Sequence, residues 1–91
     1  MTQKEKLEEI YVELINSQEQ VKAMMSMKEL FDFLNEVDFG QDENHKLKSI
    51  LDSINDTNSY IIAKFNNEDI EFAKGILEQR FAGLFEYIKH K

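Results

Sequence analysis

An all-α fold, a compact bundle of four to six short helices forming a single domain over residues 1–91, is predicted by three observations. The chain contains no proline and only three glycines. Its apolar residues recur at i, i+3, i+4 and i+7 over most of its length, with no clear two-residue alternation. Short clusters of Asn, Asp and Ser punctuate that periodicity and divide it into helix-sized pieces. With 91 residues, 42% of them hydrophobic and ten aromatic, there is material for one core. A domain of this size buries only somewhat more than ~60% of the surface its unfolded chain exposes.

The first helix is predicted over residues 4–15, where Leu7, Ile10, Tyr11, Leu14 and Ile15 trace one amphipathic stripe. Asn16 and Ser17 end it. Ser17 and Gln20 have the spacing of a capping box, which predicts the start of a second helix. That helix offers Val21, Met24, Leu30, Phe31, Leu34 and Val37 on a broad face and stops before Gly40. Met24, Met25 and Met27 lie close together within it; methionine fills irregular gaps or makes adaptable contacts, and core filling is the expectation favoured here. Residues 38–46, DFGQDENHK, are the most polar stretch and read as a loop around a glycine.

A third helix is predicted around Leu47, Ile50, Leu51 and Ile54, ended by DTNS at residues 56–59, which favour caps and turns. Residues 60–65 then form a helical turn or two packed into the core. Asn66 or Asn67 is expected to cap a last helix with Glu68 and Asp69 in its first turn, where negative charge meets the positive end of the helix dipole. Ile70, Ala73, Leu77, Phe81, Leu84 and Ile88 form its core stripe, with Phe72, Ile76 and Phe85 to one side. Glycine in a helix interior costs roughly 1 kcal/mol relative to alanine. Gly83 therefore signals either a close backbone approach or a bend, and a second bend is expected near Gly75.

Charge and composition narrow the functional classes. The net charge is −7, a field that repels phosphate and anionic lipid and disfavours direct nucleic-acid or membrane binding. A basic partner protein suits it better. Cysteine is absent, which excludes disulfides, thiolate nucleophiles and the usual structural zinc sites. The opening MTQKEKLEEI lacks the apolar stretch of a signal peptide, and no apolar run approaches the ~18 residues that cross a bilayer. The expected location is the cytoplasm.

No catalytic chemistry emerges from the pattern. His45 and His90 have no neighbour at metal-ligand or triad spacing, and no phosphate loop, zinc-protease motif or nucleophile elbow occurs. The acids of residues 38–46 do not supply an EF-hand frame of ligands. Pairs such as Glu8/Glu9 and Asp42/Glu43 read as solvated faces. The expectation is a non-enzyme with no cofactor and no metal, whose function is binding.

Two segments point further. Residues 66–88, NNEDIEFAKGILEQRFAGLFEYI, resemble the C-terminal helix of the AsiA family, the anti-sigma factors of T-even-like bacteriophages. The likeness lies in Glu68 and Asp69 opening the helix, the F-x-G of Phe81 and Gly83, and the aromatics Phe85 and Tyr87. Residues 33–37, FLNEV, resemble a family segment that likewise ends a helix and enters a polar loop. The resemblance covers about a third of the chain closely and the rest in length and helical pattern.

It implies a regulator of transcription that forms a homodimer when free. That partner is exchanged for region 4 of the host's primary sigma factor within RNA polymerase, blocking recognition of the −35 element and redirecting the enzyme to phage promoters. Carried over by register, the sigma and dimer face would hold Tyr11, Leu14, Ile15 and Val37. The C-terminal helix, through Phe85, Glu86 and Lys89, would face a phage transcription activator. Glu86 stands where the family pattern has a basic residue, which puts that activator contact in question. An immunity or antitoxin-type protein that sequesters a toxin is the alternative class. A DNA-binding helix-turn-helix is disfavoured, since HKLKSILDSIND offers two lysines and no arginine.

Overall fold

Four α-helices follow one another along the chain: α1 Gln3–Asn16, α2 Gln20–Glu36, α3 Glu43–Phe65 and α4 Ile70–Lys89. The computed structural model describes residues 2–37 and 43–89, with Glu43 and Lys89 described in their backbone only. The predicted loop around Gly40 therefore lies largely outside the described residues, as does His90. The all-α fold is as predicted, with four helices and, among the described residues, no strand.

α1 begins on a capping box absent from the sequence reading. The Glu5 amide donates to the Thr2 hydroxyl at 3.1 Å and the Thr2 amide donates to the Glu5 carboxylate at 3.2 Å, so two unsatisfied helix-end donors are met reciprocally. Those bonds from Thr2, the backbone one foremost, hold the Glu5 carboxyl below the usual carboxylate range. The box predicted at Ser17 and Gln20 does not form. The Ser17 hydroxyl donates instead to the Glu13 carbonyl at 2.6 Å, serving the end of α1, where carbonyls lack amide partners. Glu19 is the N-cap of α2 and makes no side-chain capping bond.

The buried face of α2 differs from the predicted one. Ala23, Ser26, Leu30 and Leu34 are buried, whereas Val21, Met24, Met25 and Phe31 are exposed. Of the three clustered methionines only Met27 packs against the core. The reason is steric: small Ala23 and Ser26 let α2 lie close to its neighbours, and the bulkier residues are rotated outward.

α3 is one continuous helix, so DTNS does not break it. Ser53 and Thr57, both fully buried, donate their hydroxyls to the carbonyls one turn back, Ser49 at 2.7 Å and Ser53 at 2.8 Å. Turn-forming side chains whose hydroxyls are satisfied in this way are compatible with a helix interior. Leu47 and Leu51, expected in the core, are exposed, while Ile50, Tyr60, Ile61 and Ala63 are buried. The helix stops at Asn67, whose φ of 56° is left-handed, and the Glu68 amide reaches back to the Ala63 carbonyl at 3.1 Å. This is the hydrogen bond of a Schellman ending, with asparagine in the position usually held by glycine.

Asp69, rather than either asparagine, caps α4, accepting from the Phe72 amide at 3.2 Å. The predicted stripe is otherwise realised: Ala73, Leu77, Phe81, Leu84 and Ile88 are buried and Ile70 packs against them. α4 runs unbroken through Gly75 and Gly83. Apart from its own helix backbone and chain neighbours, no atom of the described residues lies within 4 Å of where a Cβ would stand at either, so no close approach of the kind expected at Gly83 is made among the described residues.

The short connections fold each helix back on its predecessor, and α1 meets α4 to close a ring of four. The α3–α4 contact is the most extensive and α1–α4 the least, and among the described residues the backbones of diagonally placed helices stay apart. The radius of gyration is 12.7 Å, close to the ~12 Å expected for a folded chain of this length.

Candidate protein-binding surface

The rotation of α1 decides which of its residues a partner could meet. Leu7, Ile10 and Leu14 point into the core and are 0% exposed. Tyr11 and Ile15, one turn apart, are half-buried on the shoulder of α1 and pack against the core's edge. The Tyr11 ring meets Phe81 of α4 at 4.7 Å between centroids, tilted by 56°, a favourable aromatic arrangement. Val12 is 47% exposed on the outer face. It shares a shallow hollow with Glu5, Glu8, Glu9 and Glu13.

The four residues expected at the sigma and dimer face are thus divided. Tyr11 and Ile15 lie together on one strip, with Val12 beyond them. Leu14 is wholly enclosed, and Val37, 1% exposed, closes α2 with its amide on the Phe33 carbonyl. Val37 shares a hollow of about 240 Å³ with Thr2, Gln3 and Phe33. That puts it near the start of α1, ~12–18 Å along the helix axis from Tyr11 and Ile15 at 1.5 Å per residue. On α4, Phe85 is half-buried against the core and Glu86 is exposed. Lys89 is the last residue of that helix.

Lys64 lies at the far end of the strip. Lys64 of α3 donates its ammonium to the Ile15 carbonyl at 2.7 Å, meeting the negative end of the α1 dipole. It also stands 5.9 Å and 5.7 Å from the ring centroids of Tyr60 and Phe65. Burial, and then the charge of Lys74, push its pKa down. Burial pushes Tyr11 and Tyr60 up, with Glu78 adding to the shift at Tyr11 and Tyr11 to that at Tyr60.

These shifts give a pH dependence of definite sign. A tyrosine held neutral in the fold contributes stability that is complete below its ordinary value of 10.0 and is lost as pH rises through its higher folded value. Lys64, with a lowered value, opposes the fold while charged and ceases to do so as it deprotonates. Tyr60, 2% exposed and the more deeply enclosed of the two phenols, is therefore expected to lower the urea midpoint above about pH 10. Tyr60→Phe should flatten that decline; an equally steep decline in the variant would show that Tyr60 does not cause it.

The sequence reading missed other exposed apolar groups, Val21, Met24, Met25 and Phe31 on α2 and Leu47 and Leu51 on α3, whereas Phe72, read as lying to one side of the α4 stripe, is 69% exposed. The signal available was the small residues Ala23 and Ser26, whose interval marks the true inner face of α2. Among the described residues, no group of three His, Cys, Asp or Glu side chains could hold a metal ion, and no helix is long and apolar enough to cross a membrane. Lys46 and Lys48, the lysines weighed for DNA contact, are engaged within the chain, on the Asn35 carbonyl at 3.0 Å and on Asp52 at 2.9 Å.

Fold and surface together define a small helical protein with apolar side chains on its outer helix faces and four glutamates along α1. No family model, no curated protein and no solved structure matches the chain.

Proposed function

We propose that the chain is a protein-binding module of the anti-sigma type, which engages region 4 of a bacterial primary sigma factor and keeps it from the −35 element. The observation that carries the binding role is the α1 strip: half-buried Tyr11 and Ile15 beside exposed Val12, rimmed by Glu5, Glu8, Glu9 and Glu13. An apolar strip inside an acidic rim fits a basic helical domain, with charge steering the encounter and apolar burial holding the complex. The identity of that domain rests on the AsiA-like segments at residues 33–37 and 66–88. In this reading Leu14 and Val37 act from within, fixing the pose of α1 and the end of α2. A homodimer through the same strip, exchanged for sigma, and an activator contact at Phe85, Glu86 and Lys89 belong to the same proposal.

Calorimetry of the chain against purified sigma region 4 tests it. The expected result is binding with a dissociation constant in the ~micromolar range or tighter, weakened by added salt. Val12→Lys, a substitution at an exposed position, should weaken binding about tenfold or more with the helical circular dichroism unchanged. No heat of binding at micromolar concentrations overturns the proposal. Retained binding in Val12→Lys moves the contact away from α1.

A further inference from the structure

A second face of the molecule has no role in that reading. Along the outer side of α4, Phe72, Ile76 and Tyr87 are 69%, 38% and 39% exposed. Gly83 lies between the last two in an open groove of about 290 Å³ against α3, whose wall includes Ser49 and Asp56. A glycine within a helix lowers its stability, and here, among the described residues, no neighbour beyond its own helix comes near enough to need one.

The order of these residues is informative. Phe72, Ile76, Gly83 and Tyr87 are separated by 4, 7 and 4 positions, a spacing that reads the same in both directions. A second α4 laid antiparallel across the first, about a two-fold axis between Gln79 and Arg80, would set Ile76 over the other copy's Gly83 at two equivalent places. Phe72 would meet Tyr87 at both ends. Large side chains would thus face the position that lacks one, as a closely packed helix pair requires.

Charge agrees with a second copy as the occupant. The chain carries −7 overall, yet α4 balances Glu71, Glu78 and Glu86 with Lys74, Arg80 and Lys89, and α3 balances Glu43, Asp52 and Asp56 with Lys46, Lys48 and Lys64. The α3–α4 side is therefore where two copies meet with least repulsion. At the axis itself two arginines would approach each other, but each Arg80 donates to its own Asp56 at 2.8 Å, with Asp56 only 16% exposed. That pairing neutralises the one charge the symmetry would bring together.

We infer that α4 is a self-association surface, pairing two copies of this chain antiparallel through Phe72, Ile76, Gly83 and Tyr87. It is separate from the α1 strip and leaves that strip open in both copies.

Sedimentation equilibrium of the intact chain over a concentration series provides the test. Wild type is expected to self-associate with concentration, and Val12→Lys, which disables the α1 contact, is expected to remain a concentration-dependent dimer through α4. Gly83→Gln should weaken the dimer about tenfold or more, while raising the unfolding temperature of the dilute monomer by replacing a poor helix former. Phe72→Glu alone should also weaken it. The double variant Phe72→Glu/Tyr87→Lys should recover dimer, because opposite charges face each other only in the antiparallel register. A wild type that stays monomeric to about 1 mM, or a dimer indifferent to Gly83→Gln, overturns the inference. A Val12→Lys chain that stays monomeric over the same range overturns it as well and leaves self-association to α1. Sigma binding, measured separately, is expected to survive Gly83→Gln, so the two proposals fail independently.

Discussion

Leu14→Asp is expected to unfold the chain rather than to release a partner. Leu14 is 0% exposed in the last turn of α1, in one core with Leu7, Ile10, Leu30 and Phe81. A carboxylate there would be desolvated with no hydrogen-bond donor assigned to it, and it would protonate or drive the helix out. The milder Leu14→Ala removes buried methyl groups and leaves a cavity, a change that costs about 2–5 kcal/mol. Against a total of roughly 5–15 kcal/mol for a domain, that is a large share. Urea denaturation followed by circular dichroism checks it: a loss below about 1 kcal/mol would mean that Leu14 is far less enclosed than described. Loss of partner binding in a Leu14 variant is consequently no evidence for a contact unless the variant is shown to be folded.

Phe81→Ala should be comparably severe, at about 3–5 kcal/mol. The ring is 2% exposed and joins α4 to α1 through Tyr11. Two readouts separate its roles. Overall stability reports the cavity, and the alkaline titration of Tyr11 reports the lost ring neighbour: if packing by Phe81 shields the phenol, its pKa should return toward the ordinary tyrosine value in the variant. An unchanged tyrosine titration would show that α4 does not desolvate Tyr11.

What was legible in the sequence followed the strength of the periodic signal. α1 and α4 have stripes of large aliphatic and aromatic residues, and both their extent and their buried faces were readable from spacing alone. α2 was readable as a helix but not in its rotation, because its inner face uses Ala23 and Ser26, which a count of hydrophobic residues passes over. α3 was split in the reading because Asp56, Thr57, Asn58 and Ser59 favour turns in isolation. Tertiary pairing overrode that preference: Thr57 bonds back to Ser53, and Asp56 is held by Arg80. Single-residue preferences contain no information about such a distant partner.

The residues named for the candidate surface came from the register of the family resemblance, and Tyr11, Leu14 and Ile15 also stand on the α1 stripe that spacing alone defines; the structure leaves Tyr11 and Ile15 half-buried at its shoulder. Leu14 and Val37 belong to the same carried-over set, and their places on the apolar faces of α1 and α2 already pointed to the burial the structure shows. Gly83 was marked as unusual for a sound reason, its cost in a helix. That no neighbour beyond its own helix approaches it among the described residues became visible only in three dimensions.

The closure of the four-helix ring bears on the order in which the molecule assembles. α1 with α2, α2 with α3, and α3 with α4 are pairs joined by short connections, so each can form with little loss of chain entropy. Only the α1–α4 seam joins residues from opposite ends of the chain, and the Tyr11–Phe81 contact lies within it. The local pairs favour rapid folding of three successive hairpins, while the seam waits until both ends are in place. The strip formed by Tyr11 and Ile15 is complete only when that last step has occurred, so a chain still being assembled has its core segments before it has its binding surface.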